Sequence, residues 1–342
     1  MGSCSYCKIS PTEPLKSCVC QKVSYCSKEC QAKDWKSHKP SCPPFIIRES
    51  HGKGRGLFTT NRIKEGQVIL EEYPLFTWNV GMSFNEFKTT HFPKIDANTK
   101  AKIFKLNTDE EAEGDEESKI YRIICGYGVR ICREADLYSD TMEAGLYNTL
   151  AFLNHSCVAN ATTSWVKGDF RRQQVRAIMT MAKDQEIMVS YRDEAEFLYG
   201  VREFRRQYLL DLVGFLCQCT ECSLDRLDLE ENKRMRAEIR EKKEELEQLR
   251  RGSSKGSDRR GFVMKDLKLS QQRVELVQNL NIRARFVAAM IEFYQIAVLA
   301  RLIGISCEND PSTYKQEAWK YAQMFGDCYI QQYKSLLAGN FQ

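Results

Sequence analysis

Short apolar runs separated by polar turns mark the first half of the chain, and charged helical periodicity marks the second. Phe45-Ile46-Ile47, Leu57-Phe58 and Val68-Ile69-Leu70 are brief runs bounded by Gly-rich or Asn/Lys/Gly turns, the pattern of strands. Thr162–Val166, Val175–Met181 and Glu186–Tyr191 repeat it, after a helical stretch predicted near Met142–Leu153. Residues 83–126 read as mixed and helical. They are interrupted by Asp109, Glu110, Glu111, Glu113, Asp115, Glu116 and Glu117, which read as a solvated loop. A helix is predicted over about 194–212, and a charged one over 224–251. In the latter Glu230/Arg234, Glu238/Lys242 and Glu247/Arg251 stand four apart with the acid first, the favourable order. Its apolar stripe (Leu227, Met235, Ile239, Leu246, Leu249) is thin. Gly252-Ser253-Ser254-Lys255-Gly256-Ser257 reads as a linker. Beyond it, helices are expected around Arg283–Gly304 and from Asp310-Pro311-Ser312, an N-cap with proline at the first helical position, to Gly339.

Composition narrows the class. No apolar run approaches the roughly 18–20 residues of a membrane span, so no membrane is expected. The start, MGSCSYCK, lacks a secretory apolar core, and Tyr6 breaks the myristoylation pattern. A net charge of +5 is too balanced to demand nucleic acid. Fifteen cysteines, an odd number without an export signal, point to a reducing compartment, cytoplasmic and/or nuclear. Ten of the fifteen fall in two clusters, positions 4–42 and 217–222, which is how metal ligands are spaced.

The amino-terminal candidates form four pairs: Cys4-x2-Cys7, Cys18-x-Cys20, Cys26-x3-Cys30 and His38-x3-Cys42. Eight ligands suffice for two closed tetrahedral zinc ions, and so short a segment needs metal to fold. Tyr25-Cys26-Ser27-x2-Cys30-Gln31, Trp35 and His38-x3-Cys42 make this segment resemble a MYND zinc finger. The resemblance implies interleaved pairs, with Cys4, Cys7, Cys26 and Cys30 on one zinc and Cys18, Cys20, His38 and Cys42 on the other. It also implies docking of a proline-containing peptide; lysines 22, 28, 33, 36 and 39 leave a weaker nucleic-acid reading open.

Four further elements carry chemistry. His51-Gly52-Lys53-Gly54-Arg55-Gly56-Leu57 alternates glycines ahead of a strand and matches neither a dinucleotide fingerprint nor a Walker A loop. Its glycines permit close backbone approach to a ligand. Leu153-Asn154-His155-Ser156-Cys157 follows, then a strand delivering Tyr191, then Phe215-x-Cys217-x-Cys219-x2-Cys222. Three cysteines leave one tetrahedral position, which the isolated Cys157 fits.

In this order the elements resemble the SET domain of protein lysine methyltransferases, and with the finger in front the chain resembles the SET and MYND domain-containing family. The implied fold is α+β. It comprises a two-zinc MYND finger over 1–43, then a β-rich SET domain over 44–193 with a pseudoknot and a helical insertion with the acidic loop at about 82–126. A zinc-bound post-SET closure over 194–223, the charged helix 224–251, a linker 252–261 and a helical tail 262–342 complete it. The implied activity is S-adenosylmethionine-dependent methylation of a lysine on a histone tail or another protein. The resemblance places Lys53, Gly54, Arg55, Leu153, Asn154, His155, Tyr191 and Phe215 at the donor, makes Tyr191 catalytic, and puts a third zinc on Cys157, Cys217, Cys219 and Cys222.

Three positions depart from the family pattern: Val213 stands where a tyrosine is usual, Gly126-Tyr127-Gly128-Val129-Arg130 lacks an asparagine, and Ala159 replaces a proline. The alternative reading is accordingly a catalytically weak or inactive SET-like scaffold that recruits partners through its finger, as in transcriptional repression.

Overall fold

A computed structural model describes residues 3–11, 13–18, 23–39, 42–107, 114–131, 143–166, 168–192, 195–252, 259–280, 311–325 and 333–334. Cys20, the helix expected at Arg283–Gly304 and the centre of the Gly/Ser linker lie outside them. The chain divides into two compact units, one of residues 1–154 and 168–188, the other of 155–167 and 189–342. It passes from the first to the second after Asn154 and again after Met188.

In the first unit a two-stranded ribbon, β1 (Lys16–Ser17) and β2 (Ser24–Tyr25), precedes helix α1 (Lys28–His38). Ser27 caps α1, accepting the Cys30 N–H at 3.2 Å, a local bond that starts the helix between two ligand candidates. Buried Tyr25 donates its hydroxyl to Asp34 at 2.7 Å, fastening ribbon to helix.

Strands β3 (Phe45–Ser50), β4 (Gly54–Thr59) and β5 (Val68–Glu72) form where the apolar runs predict them. β3 and β4 pair antiparallel from Phe45↔Thr59 to Ser50↔Gly54. β12 (Glu186–Val189) joins β4, giving a sheet of order β3-β4-β12-β9, with β9 being Asn154–His155. Leu57, Ile63 and Ile187 are completely buried. β5 pairs with β11 (Asp169–Ala177), which ends before Met181; Met181 makes only an isolated bridge to Ile63.

Residues 76–146 hold more strand than the sequence suggests. β6 (Phe76–Asn79), β7 (Val129–Ile131) and β8 (Glu143–Leu146) form a sheet with β8 in the middle. The helix expected at Met142–Leu153 is therefore replaced by β8 and a single 3-10 turn at Leu150–Phe152. Pairing on both edges overrides the local helical pattern, and Gly145 fits there because a Cβ would lie 3.0 Å from Ile131 and Tyr147. The helical insertion consists of α2 (Phe84–Glu86), a turn running to Lys94, α3 (Ala97–Phe104) and α4 (Glu116–Tyr127). The end of the acidic run is not loop. Asp115 caps α4 by accepting the Ser118 N–H at 2.8 Å, and Glu116 and Glu117 sit in the first turn, where the helix dipole favours them.

The second unit holds β10 (Ala161–Val166), α5 (Ala195–Leu198), α6 (Arg202–Val213), α7 (Arg226–Gly252), α8 (Arg259–Asn279) and α9 (Pro311–Phe325). The helix expected over 194–212 is broken into α5 and α6. α6 stops at Gly214, whose φ of +79° is the left-handed cap that ends a helix cheaply only at glycine. α7 packs along α8, with Arg250 bidentate on Asp266 at 2.9 and 3.0 Å. The buried face of α7 is Leu229, Asn232, Arg236, Ile239 and Leu246; Leu227, expected on the stripe, is 82% exposed. Two of the predicted ion pairs form, Glu238–Lys242 and Glu247–Arg251, while Arg234 turns to Glu231 instead of Glu230. Among the described residues no helix is long and apolar enough to cross a membrane.

Candidate functional site

The finger gathers its ligand candidates at the two ends of α1. Cys4, Cys7, Cys26 and Cys30 lie within 4.8 Å of one another at its start; Cys18, His38 and Cys42 do so at its finish. Cys30 and His38 are eight residues apart, about 12 Å of helix, so α1 is the strut that separates two metal positions. Sulfur separations of 3.6 Å (Cys7–Cys26), 3.5 Å (Cys26–Cys30) and 3.8 Å (Cys18–Cys42) suit zinc, since thiolates about 2.3 Å from a tetrahedral ion stand about 3.8 Å apart. All these cysteines are free thiols. Among the described residues the buried apolar cluster here is Cys4, Cys18 and Tyr25, with Leu15 and Val23 against it.

The remaining candidates divide between the two units. In the first, the glycine-rich strand entry centres on Glu186. Its carboxylate accepts from Ser50 Oγ at 2.7 Å, Lys53 Nζ at 3.1 Å and Asn154 Nδ2 at 2.8 Å. Asn154 Nδ2 also donates to the Arg55 carbonyl at 3.1 Å. Both neighbours of that nitrogen are acceptors, which fixes the amide with Oδ1 on the opposite side. Gly54 takes φ +73°, and at Gly56 a Cβ would meet Glu186 Oε1 at 2.6 Å and Asn154 Nδ2 at 2.9 Å. The close approach the glycines allow is thus to the chain's own carboxylate and amide. The Arg55 guanidinium lies over the Phe152 ring at 4.5 Å and donates to the carbonyls of Lys105 and Leu106 at 2.6 and 3.0 Å, finishing α3. Upstream, half-buried Glu72 accepts the N–H groups of Thr149 and Leu150 at 3.0 Å, holding the turn that leads into Leu153 and Asn154. Burial raises its carboxyl above the usual range despite those bonds.

In the second unit, the segment after Asn154 lies against the chain near Tyr191. Ser156 N–H donates to Val189 O, and Tyr191 N–H to His155 Nδ1, each at 3.0 Å. Because Nδ1 accepts, the proton of neutral His155 sits on Nε2, which lies 3.4 Å from Cys157 Sγ. Cys157, Cys217, Cys219 and Cys222 are all buried and lie within 4.8 Å of one another. Cys157 stands 3.9 Å from Cys217 and 3.6 Å from Cys222, again the spacing of thiolates on one zinc. Crowding makes the four titrate together: contact with Cys157 pulls Cys219 down to about 6, while Cys157 itself is pushed up. A divalent ion relieves that conflict. The three rings His155, Tyr191 and Phe215 form one group, with centroids 5.2 Å apart for His155–Tyr191 and 6.3 Å for the other two pairs. Tyr191 and Phe215 stay more than a third exposed.

Two features escape sequence reasoning. Glu186 reads as one polar position of an amphipathic strand. Glu221, between Cys219 and Cys222, carries no signal of its own in the sequence, yet it is buried with Arg205 and Arg236, both almost wholly inaccessible. No local pattern announces either, because the partners come from distant segments.

A family model for the SET domain matches residues 54–192, and one for the MYND finger matches residues 4–42. The Arabidopsis thaliana protein named histone-lysine N-methyltransferase ASHR1 is 27% identical over 225 residues, 62% of this chain and 45% of the relative. The Gallus gallus N-lysine methyltransferase SMYD2 is 25% identical over 231 residues, 65% and 50%. The Homo sapiens histone-lysine N-methyltransferase SMYD3 is 23% identical over 264 residues, 72% and 58%. The chain thus spans about half the length of these relatives. It carries a MYND finger leading into a SET domain with a third sulfur set behind it, and it is similar to lysine methyltransferases that include SMYD2 and SMYD3.

Proposed function

We propose that this chain is an S-adenosylmethionine-dependent protein-lysine N-methyltransferase whose finger recruits protein partners. The observation that carries the reading is the ring group of His155, Tyr191 and Phe215, anchored through His155 to the four-sulfur set and following directly on Asn154. The lysine-methyltransferase names of the relatives support it.

Each unit, taken by itself, offers residues that suit a part of such a donor. Asn154 Oδ1 offers an acceptor to an ammonium, and Lys53 offers a cation to a carboxylate. In the first unit the backbone of Gly54 opens β4, whose Arg55 carbonyl Asn154 meets. The exposed Phe215 face suits a purine. Arg55 is assigned a positioning role, since its guanidinium is engaged by two carbonyls. When bound, S-adenosylmethionine would supply an electrophilic methyl on a sulfonium. The chain's own contribution is alignment and desolvation. Tyr191 steers the lysine amine with its hydroxyl, and the apolar ring walls favour the neutral amine over the ammonium. At the finger, Trp35, Tyr6 and Ile9 are exposed, apolar side chains of the kind that would meet a proline-containing peptide.

Calorimetric titration of the chain with S-adenosylmethionine tests the reading. Binding is expected, weakened about ten- to a hundredfold by Asn154→Ala through the loss of one charge-assisted hydrogen bond. Absence of donor binding by the zinc-loaded wild type would falsify the enzymatic reading. Turnover on a lysine peptide library is the second stage.

A further inference from the structure

The second unit buries two arginines on one carboxylate. Arg205 of α6 and Arg236 of α7 both reach Glu221 Oε1: Arg205 Nη2 at 3.3 Å, Arg236 through Nε at 3.0 Å and through Nη2. Arg205 Nη1 also holds the Gly200 carbonyl at 2.5 Å, and Arg236 holds the Leu198 carbonyl and Asn232 Oδ1. The side chains of both arginines are 1% exposed and that of Glu221 is 6% exposed. Two cations against one anion leaves one positive charge in excess, and a buried uncompensated charge is strongly unfavourable. Nor does the triad satisfy itself, because Arg205 Nε and Glu221 Oε2 are buried without a hydrogen-bond partner.

The missing negative charge lies next door. Arg205 Nη2 is 3.8 Å from Cys222 Sγ, and Glu221 directly precedes that cysteine. Four thiolates around a divalent zinc carry a net charge of two negatives, whereas four protonated thiols carry none. We propose that Arg205 and Arg236 are the counter-cations of the third metal centre, positioning residues that tie retention of its zinc to the seating of α6 and α7. Metal occupancy supplies the anion that the arginines need, and their one excess positive charge offsets half of the two negatives that the metal site gains. This rests on zinc occupying the four-sulfur set and is independent of the methyltransferase reading.

Zinc release from the loaded full-length chain under excess chelator, followed with a chromogenic zinc indicator, tests it. Arg205→Met is expected to speed release of one zinc equivalent about ten- to a hundredfold and leave the finger equivalents unchanged, with Arg205→Lys in between. Glu221→Gln separates charge from packing. It removes a salt-bridge partner and lowers the melting temperature, yet it increases the positive charge beside the sulfurs, so the same zinc is expected to leave no faster than from wild type. Faster release from Glu221→Gln, or wild-type release from folded Arg205→Met, would overturn the proposal. Should Arg205→Met fail to fold, Glu221→Gln decides alone. Hydrogen exchange on the wild type gives an independent readout. Stripping the third zinc is expected to raise exchange in α7 and leave β3 and β4 protected, and unchanged α7 protection would count against it.

Discussion

The finger and the carboxy-terminal sulfur set hold their sulfurs at the same spacing and build the arrangement in opposite ways. In the finger every ligand comes from within about forty residues, three of the first four are only half-buried, and the apolar cluster is two cysteines and a tyrosine. Chain entropy there has little hydrophobic burial against it, so metal must supply the folding free energy, on the order of 10–16 kcal/mol for such peptides. At Cys157 the ligands stand 60 and 65 residues from their partners, all buried, beside helices with cores of their own. Metal there fastens what apolar packing has already assembled. One ion set makes a fold, and the other joins two parts of one.

Paired cysteine substitutions break that contrast most severely. Cys26→Ser is expected to unfold residues 4–42 while the SET domain keeps its melting transition. Cys157→Ser is expected to spare the finger, remove one zinc equivalent, lower the melting temperature of the rest and abolish donor binding by releasing His155. Amide-resolved hydrogen exchange with zinc counting reads both. A Cys157→Ser chain that still binds S-adenosylmethionine at wild-type affinity would detach the third metal from the donor site altogether.

Why the finger reads so clearly from sequence, and Glu186 not at all, follows from the range of the interactions. Metal pairs two to four residues apart are local chemistry, and so are the short apolar runs that give β3, β4 and β5. β8 was hidden because Glu143-Ala144-Gly145-Leu146 has no strand propensity of its own and is a strand only through pairing with Phe76–Asn79 and Val129–Ile131. Glu186 meets Ser50 and Lys53 across more than 130 residues, and Arg205 and Arg236 come to Glu221 from two different helices. Three-dimensional charge balance leaves no periodicity to read.

Tyr191 sharpens the comparison on the catalytic side. Its backbone is tied to His155, and hence to the third sulfur set, whereas its hydroxyl is assigned to the substrate amine. Tyr191→Phe is therefore expected to leave zinc content, fold and donor affinity unchanged and to lower kcat on the order of tenfold to a hundredfold. A fall in donor affinity matching the fall in kcat would instead make the ring part of the donor wall.

Val213 carries the smallest effect and the most direct test of the scaffold alternative. It ends α6, 40% exposed, two residues before Phe215 and next to the left-handed Gly214, so a larger ring fits there without displacing buried neighbours. If the family's tyrosine shares the orientation of the amine with Tyr191, Val213→Tyr restores one ordinary hydrogen bond, a gain in turnover of about two- to tenfold at unchanged donor affinity. An unchanged or lower rate would mean that the end of α6 does not face the lysine. A variant active where the wild type is silent would make the natural chain a donor-binding scaffold one side chain short of an enzyme.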